Sequence, residues 1–419
     1  MSEERLKELE KSEAYSSYQA DLAFEKELNI LRNDFYYQMI DSKTTSLVDF
    51  LYRPLDRLSG DAYSARRIDD NRTFYLLVDG MGKGISASFT TVIMTTFINH
   101  LIDKMIEHDS FSLDIIIRES IEFIKPILLD DEVLAIDYIC FDSYYGVLEY
   151  AKFAMPPFLL LDKQENLIKI KSNNIPLSKW QANYKVDSYN IDNIEKLLFY
   201  SDGIVENSTV CDDQPYAMFI EEDFKESFTR EEFKDRFYTR VKEQEDDLTL
   251  IFINSLDMSE ETLVRQKVFD TSLDAVDEAS SWYEEVWQSL NVDMKVSYKA
   301  DVVFTELFMN AYEHGNLGID SKTKHKYLED DIYFEKLIEL EEKCSKKISV
   351  NVYKIKECSS EYVVTKICDE GDGFDTQILS LIFRNSKKFN GRGVFVSRKN
   401  SMGIYYNSKG NCVLFLNKI

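Results

Sequence analysis

Short apolar runs separated by polar turns fill residues 48–256 and predict a series of β-strands. Two longer stretches have wide apolar faces at helical spacing, and they predict helices over Ile85–Glu107 and Leu113–Leu128. Many strands interrupted by one helical pair are typical of an α+β layered sandwich of about 200 residues. The predicted strands are Phe50–Pro54, Ala62–Ile68, Thr73–Val78, Val133–Phe141, Tyr145–Phe153, Phe158–Asp162, Leu167–Ile170, Glu195–Tyr200 and Leu248–Asn254.

The segments on either side have different patterns. Residues 1–34 are charged, contain no Gly or Pro, and predict an amphipathic entry helix with a coiled-coil seam. The sequence leaves two alternatives equally open, a homodimer through this helix or docking of the helix on its own domain. The seam residues are Phe24, Leu28, Leu31 and Phe35.

A polar, acidic stretch at Ser255–Gln266 marks a domain boundary. We therefore predict three parts: an entry segment at 1–34, a layered sandwich at 35–256 and a further domain at 265–419. In the last part, Leu273–Leu290 and Lys299–His314 predict helices, and Val363–Cys368 predicts a strand.

Composition narrows the class of protein. A 44% hydrophobic share and only 6 prolines in 419 residues indicate a globular chain, and the net charge of −25 argues against nucleic acid or an anionic membrane as the main partner. Six scattered cysteines with no Cys-x-x-Cys, and a charged amino terminus with no signal peptide, predict reduced thiols in a cytoplasmic protein. Polar residues interrupt Ile85–Glu107, which predicts a buried helix and not a membrane span.

Lone acids stand where apolar strands end or begin. If they converge, they offer the oxygen ligands that Mg²⁺ or Mn²⁺ prefers, and the Gly80 carbonyl adds another. Two such ions can lower the pKa of a bridging water and clamp a phosphoryl oxygen. For Asp79 alone, a turn or capping role is an open alternative. The acids are Asp61, Asp79, Asp202, Asp246 and Asp247.

Four motifs around these acids resemble those of the SpoIIE-type metal-dependent (PPM) serine/threonine phosphatases over residues 45–256. They are Leu-Ser-Gly-Asp-Ala-Tyr, Val-Asp-Gly-Met-Gly-Lys-Gly-Ile-Ser-Ala-Ser, Tyr-Ser-Asp-Gly-Ile-Val-Glu and Asp-Asp-Leu-Thr. The resemblance implies a PPM-type α/β/β/α sandwich that hydrolyses phosphoserine on STAS-fold anti-sigma-factor antagonists. It implies catalysis centred on Asp79 and Asp202, with Asp247 outside the ligand set. The implied metal ligands are Asp61, Asp79, Gly80, Asp202 and Asp246.

Two positions depart from that family's pattern. Lys83 stands where many members have His, at a position that is not a ligand. Ala154–Pro157 replaces a frequent Ala-Gly-His-x-Pro segment, which would alter the substrate groove.

The C-terminal part contains a second ordered set of motifs. Glu306 and Asn310 lie one turn apart on a predicted helix face, together with Glu313 and His314, and for such a pair alone a solvated helix face is the favoured explanation. An acid after a buried strand, followed by glycine-rich turns, suits a nucleotide, because backbone N–H groups can receive its phosphates. Those residues are Asp369, Gly371, Gly373, Gly391 and Gly393.

Over residues 270–419 these motifs resemble the GHKL (Bergerat-fold) ATPases, specifically the anti-sigma-factor serine kinases. The resemblance implies a two-layer α/β sandwich that binds ATP, with Mg²⁺ on Asn310 and with Glu306 as the base that orients the attacking serine. Asp369 would bind adenine, and the four glycines would shape a lid around the phosphates. Asp320–Lys347 is a charged insertion relative to a minimal kinase of this group, and a solvated hairpin with no role is its alternative interpretation.

Together the two resemblances predict a bacterial partner-switching regulator that dephosphorylates a STAS antagonist and phosphorylates such a protein with ATP. One alternative is a phosphatase whose GHKL domain only binds ATP. Another is a protein that sequesters a sigma factor through that domain. Replacement of Asn310 by Ala separates the leading hypothesis from the first alternative.

Overall fold

The computed structural model describes residues 26, 29–35, 38–41, 44–56, 58–81, 85–211, 214–376 and 399–419. They cluster into two compact units. The first contains the described residues of Met1–Phe35, Asp49–Lys225 and Phe233–Ile253. The second contains those of Tyr36–Val48, Glu226–Glu232 and Asn254–Ile419, so the two units interleave along the chain. The predicted limits at 256 and 265 stay a prediction.

Nine helices and seventeen strands are numbered here in chain order within the described residues. The strands are β1 (Met39–Asp41), β2 (Thr45–Arg53), β3 (Asp61–Arg67), β4 (Arg72–Gly80), β5 (Val133–Asp142), β6 (Val147–Phe153), β7 (Phe158–Asp162), β8 (Leu167–Ile170), β9 (Leu177–Ser178), β10 (Asp187–Asn190), β11 (Ile194–Tyr200), β12 (Leu248–Leu256), β13 (Leu263–Asp270), β14 (Lys347–Glu357), β15 (Ser360–Asp369), β16 (Gly403–Tyr406) and β17 (Cys412–Lys418). The α-helices are α1 (Ile85–Glu107), α2 (Leu113–Ile124), α3 (Asp202–Glu206), α4 (Ile220–Glu226), α5 (Arg230–Arg240), α6 (Leu273–Leu290), α7 (Met294–Asn310), α8 (Ser321–Glu329) and α9 (Tyr333–Glu341).

Two sheets form the centre of the first unit. Within the residues of this unit their orders are β2-β12-β11-β7-β8 and β10-β6-β5-β4-β3. Tyr75, Phe158 and Phe199 join the inner faces by ring contacts. Helices α1 and α2 pack on the outer face of the second sheet, and α3, α4 and α5 pack against strands of the first. The predicted mixture of helices and strands is confirmed, and its layers are helix, sheet, sheet and helix.

A five-stranded antiparallel sheet, β13-β14-β15-β17-β16, forms the centre of the second unit. Alternate residues of β14 such as Ile348, Val350 and Val352 pack against α6 and α7, as the period of two in a strand requires. The opposite face is also buried, because Val364 and Leu414 pack with residues from segments 36–48 and 226–232. The identification of this unit as a GHKL domain stays a prediction.

Capping residues explain where α6 and α7 begin and where α6 ends. Ser272 accepts a hydrogen bond from Ala275 N at 3.2 Å, and Asp293 accepts one from Lys295 N at 2.6 Å. Asn291 ends α6 in the left-handed region, with φ 53°.

Residues 29–35 of the entry segment pack on the first unit. Leu31 and Phe35 are buried, Asn33 bridges to Ala65 on β3, and Arg66 pairs with Asp34 at 3.2 Å. Docking on its own domain therefore holds for this end of the segment. Residues 1–25 lie outside the described residues, and the homodimer stays a prediction.

Two cysteines correct the prediction of six reduced thiols. Cys368 on β15 and Cys412 on β17 are direct cross-strand neighbours and form a disulfide. The prediction came from sequence spacing, which does not show strand register. The other four, Cys140, Cys211, Cys344 and Cys358, form no disulfide.

Helix α1 is the one candidate membrane span within the described part of the chain. It qualifies by length and composition, with a mean hydropathy of 1.3 over its most apolar window. Half of that window is buried inside the protein, where Met94, Ile98 and Ile102 pack on the sheet. Core helices pass the same test, so the finding is weak support for a span.

Candidate functional site

Asp61 and Asp79 lie directly opposite each other on adjacent antiparallel strands. Asp61 begins β3, Asp79 is the penultimate residue of β4, and the register pairs their Cα atoms. Residues so paired have Cβ atoms about 4.5–5.5 Å apart. The pairing brings together two carboxylates from separate sequence motifs, at one end of the β3–β4 strand pair.

Asp202 and Asp246 join them through a close backbone approach. A Cβ on Gly203 would overlap the backbone oxygen of Asp247 and lie 3.2 Å from Asp246 Cβ, so glycine is required there. Asp202 is within hydrogen-bonding reach of Asp79, and Asp246 is close enough to raise the pKa of Asp79. The structure therefore brings together the four acids that the sequence predicts as ligands.

The raised pKa values of these acids show that burial and mutual repulsion disfavour their ionised forms. Burial raises the pKa of Asp61 well above its usual value, and the Ser201 and Thr249 hydroxyls offset only part of this effect. Burial, followed by repulsion from Asp61 and Asp202, raises the pKa of Asp79 to about 10. Buried carboxyl groups that repel one another need an added positive charge to be ionised together.

The donor set fits a divalent cation. Asp61 Oδ2 is buried and has no hydrogen-bond partner, which is rare for a buried oxygen. No group of three His, Cys, Asp or Glu side chains in the described ranges is arranged to hold a metal ion as it stands. What the acids offer is the oxygen donors that Mg²⁺ or Mn²⁺ prefers.

Asp247 has a different use. Its carboxylate accepts hydrogen bonds from Leu55 N at 2.7 Å and Gly60 N at 2.6 Å. It therefore holds the backbone at Leu55 and at Gly60, the residue before Asp61. Gly80, the fifth predicted ligand, packs so closely on α1 that a Cβ would lie 3.0 Å from Thr91 Cγ2.

In the second unit the end of α7 meets the end of β15. Glu306 and Asn310 lie one turn apart on α7, and a π-helical turn over Ala311–Asn316 follows. A Cβ on Gly315 would lie 2.6 Å from both carboxylate oxygens of Asp369, so glycine allows Asp369 to reach this turn. Helical π-turns are frequent at functional sites.

Asp369 is partly buried and hydrogen-bonded. Burial raises its pKa to about 6, although the Gly371 N–H at 2.8 Å and the nearby Lys346 and Lys409 favour the ionised form. Gly373 has φ +78°, a conformation that glycine adopts readily. Gly391 and Gly393 lie outside the described residues.

The Glu313 carboxylate binds two side chains from the predicted insertion, and sequence reasoning did not find these contacts. It is 2% exposed, and Lys324 of α8 and Tyr333 of α9 both bind its carboxylate. The insertion thus packs on the π-turn, with Leu337 buried in the same core. Because Glu313 is buried and paired, a solvated helix face does not describe this residue.

Asn316 is a further residue that sequence reasoning missed. Its side chain accepts a hydrogen bond from Glu370 N at 2.9 Å and donates one to Thr271 Oγ1 at 2.8 Å. It therefore ties the π-turn to the residue after Asp369. The Gly-Asn pair after Glu313-His314 was the available signal.

Comparison with known families bears on the first unit. Residues 69–255 match the family model described as Stage II sporulation protein E (SpoIIE). This segment is therefore similar to that family over 187 of the 419 residues of the chain. The match spans three of the four acid-bearing strand ends, those of Asp79, Asp202 and Asp246.

A curated protein similar to this chain is phosphoserine phosphatase RsbP of Bacillus subtilis. It is 22% identical over 169 residues, which cover 39% of this chain and 41% of RsbP. The chain therefore spans less than half the length of that relative.

Two solved structures illustrate the structural neighbours. The RsbU and RsbW domains of a Mycobacterium tuberculosis protein give a TM-score of 0.45 at 14% identity, covering 89% of this chain and 94% of that one. The SiaA-PP2C domain of Pseudomonas aeruginosa gives 0.47 at 16% identity, covering 59% of this chain and 99% of that one. At TM-scores below 0.5, these likenesses support no inference.

Proposed function

We propose that this chain is a partner-switching regulator with a metal-dependent phosphoserine phosphatase in its SpoIIE-type domain. The observation that carries the proposal is the convergence of four acids with a buried, unpartnered Asp61 oxygen. The match of residues 69–255 and the name of the RsbP relative support the reaction class. The substrate is the phosphoserine of a STAS-type anti-sigma-factor antagonist.

Asp61, Asp79, Asp202, Asp246 and the Gly80 carbonyl would hold two Mn²⁺ or Mg²⁺ ions. When bound, such ions lower the pKa of a shared water and neutralise phosphoryl oxygens. Asp79 is paired with Asp61 across the strands and also interacts with Asp202, which suits a carboxylate that both ions would share. Asp247 accepts hydrogen bonds from the backbone N–H groups of Leu55 and Gly60, so that Asp61 follows a fixed backbone position.

The second unit, in this proposal, binds ATP with Mg²⁺ and phosphorylates an antagonist on serine. The meeting of Asp369, Gly315 and the end of α7 supports a nucleotide site. Asn310 would hold Mg²⁺, Glu306 would orient the serine hydroxyl, and Asp369 would accept a hydrogen bond from the adenine amino group. Phosphoryl transfer of this kind depends mainly on positioning and charge neutralisation.

One experiment tests both halves. The protein is incubated with a candidate STAS protein, Mn²⁺ and ATP, and serine phosphorylation is followed over time. The Asp202→Asn variant should lose dephosphorylation and keep phosphorylation, and Asn310→Ala should do the reverse. If Asn310→Ala changes nothing, the alternatives in which the C-terminal unit only binds ATP or a sigma factor take precedence.

The remaining parts of the proposal concern location and assembly. A cytoplasmic location suits a phosphoprotein substrate and the net charge of −25. The entry helix is proposed to form a homodimer, which sedimentation of the full chain can test.

A further inference from the structure

The disulfide lies beside the proposed nucleotide site. Cys368 immediately precedes Asp369 on β15, and its partner Cys412 begins β17 at a Cα–Cα distance of 4.1 Å. The strands are paired here, so the two sulfurs meet without a displacement of the backbone. Cys368 is partly buried and Cys412 is 6% exposed.

The residues next to the disulfide are joined as well. Asp369 N donates to Asn411 O at 2.9 Å, and Asn411 Nδ2 donates back to Asp369 O at 3.0 Å. Farther from the disulfide along both segments, Phe374 N donates to Lys409 O at 3.1 Å, and Lys409 Nζ donates to Gly371 O at 3.1 Å. The turn at 407–411 therefore interlocks with the Asp-x-Gly-x-Gly segment at 369–373.

We propose that Cys368 and Cys412 are a reversible dithiol–disulfide pair whose oxidation tightens nucleotide binding by the second unit. This inference rests on the proposed ATP site. In the bonded form the two strand ends that carry Asp369 and Asn411 are fixed to each other. A site that is ordered before the ligand arrives loses less conformational entropy on binding.

A peroxide is the chemical class of oxidant. The Cys368 thiolate, the more exposed of the two, attacks one peroxide oxygen, the O–O bond breaks, and a sulfenic acid and hydroxide form. The Cys412 thiolate then attacks the sulfenic sulfur, the S–S bond forms, and a second hydroxide leaves. Both hydroxides take up the protons that the two thiols released, so two thiols and one hydrogen peroxide give one disulfide and two waters.

The test uses the full chain, either oxidised with hydrogen peroxide or reduced with a phosphine. Free thiols are alkylated and mapped by mass spectrometry, and ATP affinity is measured calorimetrically with Mg²⁺. We expect a Cys368–Cys412 linked peptide and ATP binding that is roughly three- to tenfold tighter in the oxidised form. Cys358→Ser is the matched control, because it removes an exposed thiol that is outside the disulfide and lies in the turn between β14 and β15.

Cys412→Ser should bind ATP equally in both conditions, and Cys368→Ser is a second variant if the first does not fold. Failure to find the linked peptide, or equal affinity of the oxidised and reduced wild-type protein, overturns the inference. Absence of ATP binding in both forms refutes the proposed nucleotide site itself, and the inference with it. A redox effect that persists in Cys412→Ser assigns the change to another thiol and also overturns the proposal.

Discussion

Gly203 is the residue that lets the acids of two strands meet. Any side chain there overlaps the backbone at Asp247, which cannot rotate away as a flexible side chain could. We expect Gly203→Ala to lower phosphatase activity by roughly 100-fold, because the displacement separates Asp202 from Asp246. Stability should fall by about 1–3 kcal/mol, measured by urea unfolding. Thr96→Ala, on the exposed face of α1, should change neither quantity.

Asp369 gives a pH prediction at the same scale. Its pKa of about 6 lies above the ordinary carboxyl value, so the group is protonated in the free protein as pH falls through 6. Only the carboxylate can accept from the adenine amino group without donating a proton. ATP affinity should therefore fall as pH drops, by up to about tenfold per unit below 6. Titrations between pH 5.5 and 7.5 measure this, and Asp369→Asn, which does not titrate, should bind weakly without this pH dependence.

At the scale of elements, β5 and β6 share a fully buried ion pair. Lys152 and Asp137 lie 2.8 Å apart with both side chains inaccessible, and Lys152 lies over the Phe158 ring. Burial raises the pKa of Asp137 to about 6 and lowers that of Lys152 to about 8, so removal of the solvent outweighs the attraction for each partner.

Removal of one partner leaves the other without compensation. We expect Lys152→Met to cost about 3–5 kcal/mol in the free energy of unfolding, and Asp137→Leu with Lys152→Met to recover most of it. Urea unfolding of both variants checks this. Lys104→Met, at the exposed pair with Glu107, should leave stability unchanged. Equal losses in the single and double variants would contradict the argument.

Nine of the eleven strands from β2 to β12 could be predicted from the sequence, because each of these is a short apolar run bounded by polar turns. Two strands, β7 and β8, have the predicted bounds. Helix α5 was missed because its sequence, Arg230–Arg240, contains many charges and few apolar positions. The pairing of Asp61 with Asp79, the reach of Gly315 to Asp369 and the Cys368–Cys412 bond all depend on register and long-range contact, which local patterns do not contain.

The whole molecule poses a problem of energy use. If both proposed activities act together on one serine, the cycle consumes ATP without a net change. We therefore expect reciprocal control, in which conditions that maximise dephosphorylation suppress phosphorylation. Steady-state ATP consumption with the antagonist and Mn²⁺ should be far below the rate expected from the two separately measured activities. Both rates at their maxima in one condition would contradict this expectation.

The interleaving of the two units has a practical meaning for anyone who divides this protein. Met39, Leu47, Phe228 and Leu256 pack in one cluster with Val364 and Leu414. A gene truncated after residue 256 would keep every proposed phosphatase ligand and yet leave those four apolar side chains in water. Such a fragment should aggregate or require a detergent. Its low activity would then result from the missing part of the hydrophobic core, and it would not show that the second unit regulates the phosphatase.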